Sequence, residues 1–220
     1  MKDDIIQFSD ERSMRLGIFG TTGRGKTYLA CKMLRHMLKD KFDEIYLIHP
    51  EFQGEKKNAG KWDTLEITQV FEFFTQELVH QLVEHCKKTC LDLRKKGDDF
   101  RMLIILDDCV SDDQFTNKQR SELGKAFTNS RKYGLSLMIL SQKITLIPQQ
   151  IHSQLNYVIL FDTGFAKESK SIYDSYGLHD RKKWYRLCDF IFKDIHDTML
   201  IDVDYKRYYK NFNIITIKEN

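Results

Sequence analysis

The chain has 220 residues, 41% hydrophobic and 12% aromatic, with 35 basic against 32 acidic side chains and a formal charge of +3. That length suits one domain, or one domain with a small appendage, and the apolar content is enough for a sizeable core. Two prolines and 11 glycines exclude collagen-like and linker-rich chains, and so mild a charge does not by itself call for a nucleic-acid partner.

The polar start, Met1 to Asp4, lacks the apolar core of a signal peptide. No apolar run approaches the ~20 residues of a membrane span. A soluble, intracellular protein is expected. Five cysteines (Cys31, Cys86, Cys90, Cys109, Cys188) follow no framework spacing, which predicts reduced thiols. His85, Cys86 and Cys90 can share a helix, but no second ligand pair accompanies them as a zinc site requires.

Met14–Phe19 reads as the first strand. Gly20-Thr21-Thr22-Gly23-Arg24-Gly25-Lys26-Thr27 follows, with the spacing G-x-x-x-x-G-K-[ST], and then a helix through Tyr28 to about Lys39. This strand–loop–helix context is the one a phosphate-binding loop needs. Glycines let backbone N–H groups curl around a polyphosphate, and the helix N-terminus adds partial positive charge. Lys26 can reach the β- and γ-phosphates, and Thr27 can offer its hydroxyl to Mg²⁺. Residues Gly20 to Tyr28 are therefore the candidate ATP-binding set, although Arg24 stands at a variable loop position that commonly faces solvent.

Glu44–His49 is a second strand, ended by Pro50, and Glu51–Lys61 a polar loop. Gln69 to about Lys96 is read as one long helix. Met102–Asp107 has five successive apolar residues, the signature of a strand buried on both faces. It ends in Asp107-Asp108, at the strand end where open α/β sheets bind ligands. Asp107 is the candidate metal ligand with Thr27, and Asp108 the candidate for activating water.

Gln119–Tyr133 is expected to be helical, stopped by Gly134. Leu135–Leu140 is a further buried strand, ending at Ser141-Gln142, and the Gln142 amide can sense the γ-phosphate and the attacking water. Residues 118–143 hold six basic side chains and one acid, against 18 basic and 21 acidic in residues 1–117. Such a segment is a solvated face or a phosphate contact. Arg131 within it is a candidate for stabilising transition-state charge on a neighbouring subunit's nucleotide, with Lys132 as rival. Asn117-Lys118-Gln119-Arg120 lacks the Asp of a guanine-reading motif. Pro148 opens a short helix, Tyr157–Phe161 is another strand, and the tail from Ala166 reads as helices, a strand Met199–Val203 and a mixed end. Alternating strands and helices predict an α/β fold with a mainly parallel sheet. Residues 1–165 form the core and 166–220 an extension packed on or completing it.

With these residues placed, the chain resembles the FtsK–HerA superfamily of P-loop ATPases, and within it the genome-packaging ATPases of poxviruses, giant viruses and virophages. The resemblance rests on Gly20–Thr27, Phe42–Pro50 with Trp62, Leu103–Asp108, and Ser130–Gln142, with Ile147–His152 and Tyr157–Phe161 in support. It implies a RecA-like three-layer sandwich whose five strands lie in the order 5-1-4-3-2, the Gln142 strand between the first and the Asp107 strands. It further implies an ATP- and Mg²⁺-dependent ring that drives double-stranded DNA into a capsid, with a capsid or portal-vertex protein as partner. The location implied is the host cytoplasm, a viral factory or the virion. By the same resemblance Lys26 and Thr27 bind phosphate and metal, Asp107 the metal, Asp108 activates water, Gln142 senses and Arg131 acts in trans. Many relatives carry Glu where this chain has Asp108, so Glu51 or Asp112 could share the water-polarising role. DNA contacts would fall on loops or on tail positions such as Arg181, Lys182, Lys183, Arg186, Lys206 and Arg207, which read equally as solvated charge. Two other classes stay open: a nucleoside- or nucleotide-kinase phosphotransferase, disfavoured by the lack of an arginine-rich lid, and an ATP-dependent assembly switch indifferent to DNA.

Overall fold

The strand Met102–Asp107 shows how the sheet is built. Met102, Ile104 and Leu106 join one apolar cluster while Leu103 and Ile105 join another on the opposite face. Period-two alternation thus carries two cores, one on each side of the sheet. The computed structural model describes residues 6, 8, 13–50, 62, 64–109, 115, 121–164 and 166–216.

The strands are β1 (Arg15–Phe19), β2 (Glu44–Ile48), β3 (Gln69–Phe71), β4 (Met102–Asp107), β5 (Leu135–Ser141), β6 (Tyr157–Phe161), β7 (Thr198–Asp202), β8 (Arg207–Lys210) and β9 (Asn213–Ile215). The helices are α1 (Lys26–His36), α2 (Gln76–Arg94), α3 (Glu122–Asn129), α4 (Gln149–His152), α5 (Ala166–Tyr176) and α6 (Arg181–Ile191). One sheet runs in the order β3-β2-β4-β5-β1-β6-β7-β8-β9. The strands from β3 to β6 pair in parallel, and β7, β8 and β9 continue the sheet antiparallel. The first five strands read from the sequence, now β1, β2, β4, β5 and β6, therefore lie in the order 5-1-4-3-2, with β5 between β1 and β4.

Helices cover both faces. Ala30, Met33 and Leu34 of α1 pack into one core, with Trp62. Leu78 and Leu82 of α2, Phe127 of α3, Ile172 of α5 and Trp184 of α6 pack into the other. The sandwich has three layers, as an α/β chain with buried parallel strands requires.

The expected helix from Gln69 begins only at Gln76. Gln69–Phe71 is instead β3, paired with β2 through Tyr46 and Gln69. The side chain of Thr75 accepts from the Leu78 N–H at 3.0 Å and sets the helix start there, the role an N-cap threonine fills. The helix expected over Gln119–Tyr133 spans Glu122–Asn129, followed by a 3₁₀ turn at Ser130–Lys132. Residues 116–120, with the Asn-Lys start of the guanine-type motif, lie outside the described residues. So do Glu51 and Asp112, the alternative water-polarising acids. The mixed end resolves into β8 and β9.

Cys86 donates its thiol to the Tyr133 carbonyl at 3.3 Å, and burial pushes it up to about 12. His85 faces Glu44 at 2.7 Å. Among the described residues, no helix is long and apolar enough to cross a membrane.

Candidate nucleotide site

The carboxyl ends of β1, β4 and β5 gather most of the candidate residues at one edge of the sheet. Gly20 to Gly25 join β1 to α1, and the Gly20 N–H donates to the Ser141 carbonyl at 3.2 Å, fastening the loop to β5. Gly23 and Gly25 have φ of 82° and 94°, a left-handed backbone that side chains with a Cβ resist. The first turn of α1 holds no acidic residue to offset its partial positive charge. Lys26 Nζ donates to the Gly20 carbonyl at 2.7 Å and to the Thr21 carbonyl at 3.4 Å, so the amine lies across its own loop.

Thr27 Oγ1 donates to Asp107 Oδ2 at 3.1 Å. Asp107 is buried, and this burial raises its carboxyl above the ordinary range. His49, the Thr27 hydrogen bond and Lys26 pull it down, while Asp108 pushes it further up. His49 Nε2, buried at the end of the β2 run, stands 4.0 Å from Asp107 Oδ2.

Asp108 follows with φ of 56°, a left-handed turn that Asp tolerates better than most residues. Its N–H donates to the Leu140 carbonyl at 3.3 Å, and its Oδ2 accepts from Gln142 Nε2 at 3.5 Å. Two hard oxygens, from Thr27 and Asp107, thus meet beside a glycine loop. A half-buried carboxylate–amide pair, Asp108 and Gln142, stands at the neighbouring strand ends.

Three candidates are placed differently. Arg24 turns toward the turn before β7: Nη1 donates to the Ile195 carbonyl at 3.3 Å and Nε to Thr21 Oγ1 at 3.4 Å. Tyr28 is exposed on α1. Arg131 is exposed in the turn before β5, at the amino edge of the sheet, and seven strand residues separate it from Gln142. At roughly 3.3 Å per residue, Arg131 is far outside the reach of its own chain's loop. It lines a cavity of about 350 Å³ with Arg94, Arg101 and Lys41.

Sequence reasoning passed over His49, although its place at a strand end beside the Asp107 strand was a usable signal. His196, whose Nδ1 lies 3.1 Å from the Arg24 carbonyl, left no such trace.

A family profile described as poxvirus A32 protein matches residues 7–199. The chain belongs to this family. No curated protein matches its sequence. Among solved structures, the genome packaging NTPase B204 of Sulfolobus turreted icosahedral virus 2, in complex with ATP-gammaS, is similar at 16% identity and a TM-score of 0.64, over 94% of this chain and 100% of that one. B204 of Sulfolobus turreted icosahedral virus, described as a DNA-packaging ATPase, gives 17% and 0.64 over 94% and 98%. EssC (ATPases 2 and 3) of Geobacillus thermodenitrificans gives 12% and 0.65 over 96% of this chain and 41% of that one. The chain thus shares its fold with viral packaging and EssC-type ATPases, as its motifs led one to expect.

Proposed function

We propose that this A32-family chain is the ATP-hydrolysing motor that moves double-stranded DNA into a viral capsid. The observation that carries the reading is the meeting of Thr27 and Asp107 beside the Gly20–Thr27 loop, with Asp108 and Gln142 paired next to them, in a chain matched by the A32 profile over residues 7–199. The B204 proteins, named for genome packaging and solved with ATP-gammaS, AMP and AMPPCP, support carrying nucleotide binding over to this chain.

The loop N–H groups and Lys26 bind the phosphates, Lys26 exchanging its two loop carbonyls for phosphate oxygens. Thr27 and Asp107 would hold Mg²⁺. Their hydroxyl and carboxylate are the hard oxygen donors this ion takes, and a buried carboxylate with a raised pKa gains from a cation beside it. Bound there, Mg²⁺ supplies charge neutralisation at the phosphate oxygens. Asp108 takes the proton of the attacking water and Gln142 orients it, so that the water oxygen bonds to the γ-phosphorus as the bond to the bridging oxygen breaks. Arg131, exposed at the far edge among other cations, serves the site of a neighbouring subunit, which makes the working form a ring.

Residues 1–165 provide this chemistry, and 166–220 complete the sheet and present Arg181, Lys182 and Arg186 on the exposed side of α6 as DNA contacts. Arg181 lies over the rings of Tyr173 and Tyr185 at 5.8 and 5.5 Å. A capsid or portal-vertex protein would anchor the ring, in the host cytoplasm or viral factory where capsids fill. Steady-state ATP hydrolysis, measured with and without double-stranded DNA, tests the reading. Stimulation by DNA, lost in Lys26→Ala, is expected. Hydrolysis indifferent to DNA would point to an assembly switch, and phosphate transfer to a nucleoside acceptor to a kinase.

A further inference from the structure

The sheet order gives the bound nucleotide a direction. Asp107 and Gln142 lie on one side of the glycine loop, at the ends of β4 and β5, while β6 and β7 lie on the other. A nucleotide with its γ-phosphate at Asp107 and Gln142 must run its ribose and base toward β6 and β7. β7 is antiparallel to β6, with Thr198 opposite Phe161, so the turn at residues 193–197 that feeds β7 sits at the same carboxyl edge as the loop.

That turn is built to hold its shape. Asp197 accepts from the Lys193 and Asp194 N–H groups, each at 2.9 Å, from Asn211 Nδ2 at 2.7 Å, and pairs with Lys210 at 3.2 Å. It also touches the loop at two points. Arg24 Nη1 donates to the Ile195 carbonyl, and His196 Nδ1 lies 3.1 Å from the Arg24 carbonyl. A carbonyl only accepts, so Nδ1 carries the hydrogen of that bond. Ile195, whose carbonyl receives the Arg24 guanidinium, is 54% exposed, an apolar residue in a turn on the base-ward side of the phosphate-binding loop.

We infer that the turn at residues 193–197 is the nucleobase wall of the site, with Ile195 packing on the base and His196 holding the loop in register through the Arg24 carbonyl. The inference rests on the nucleotide reading above and adds a contact made by the base alone. The ligand class is a nucleoside triphosphate, recognised in two parts: phosphates by the glycine loop, base by the C-terminal extension.

Calorimetric titration of the full chain with Mg²⁺–ATP and, separately, Mg²⁺–tripolyphosphate tests it, comparing wild type with Ile195→Ala. Loss of an apolar contact is expected to weaken ATP roughly three- to tenfold and to leave tripolyphosphate unchanged. Equal weakening of both ligands, or no change in either, overturns the inference while the phosphate site stands. Wild type that binds neither ligand overturns the nucleotide reading itself. Ile195→Gln provides a second variant should Ile195→Ala fail to fold.

Discussion

Thr27 Oγ1 donates to Asp107 Oδ2 at 3.1 Å, joining the first turn of α1 to the last residue of β4. The contact spans 80 positions of sequence and places the two oxygens proposed for the metal side by side. It also exposes a conflict between stability and function, because Asp107 is buried among β-strand ends.

A carboxyl whose folded pKa is raised binds its proton more tightly in the folded chain than in the unfolded one. Stability then falls as pH rises through the folded-state value, and the ionised form is a cost at neutral pH. Asp107→Asn removes that cost and keeps an oxygen for Thr27. Without Mg²⁺ and nucleotide, its melting temperature should rise by about 2–4 °C at pH 7, with the gain shrinking as pH falls toward 4. ATP hydrolysis should be abolished. Thermal melts across pH check both the sign and the trend.

Gln142 stands 3.5 Å from Asp108, just past the end of β5, the strand that pairs with β1 and its phosphate loop. If it orients the attacking water, Gln142→Ala should lower kcat by about 100-fold and leave KM within about threefold, the signature of an interaction made in the transition state. Steady-state kinetics at saturating DNA separates the two constants. A rise in KM alone would assign Gln142 to ground-state binding.

Arg131 lies at the amino edge and the phosphate loop at the carboxyl edge, so one chain cannot bring them together. Arg131→Ala and Lys26→Ala should each be inactive alone. Mixed, they should recover part of the wild-type rate, because some interfaces pair an intact loop with an intact arginine. Hydrolysis across mixing ratios checks this; no recovery at any ratio would remove Arg131 from the trans role, leaving Lys132 as the next residue to vary.

Much of this was readable in the sequence wherever local pattern and chemistry agree. The apolar run ending in Asp107-Asp108 marked a buried strand and where it stops, and the glycine spacing marked the loop between β1 and α1. Val70, Phe73 and Phe74 misled because they suit a helical period, yet Gln69–Phe71 pairs with β2 and Thr75 starts the helix. Edge strands of three residues carry too few side chains to show a period of two. His196 and Ile195 were illegible for another reason. Their contact with Arg24 is made across more than 170 residues and depends on β7 turning back along β6, which no local pattern encodes.

The most direct measurement is displacement of a third strand from triplex DNA by the full-length protein with Mg²⁺–ATP. Sustained movement along the duplex predicts release of the third strand with ATP, none with a non-hydrolysable analogue, and none with Lys26→Ala. Robust ATP hydrolysis that leaves the third strand in place would contradict the motor.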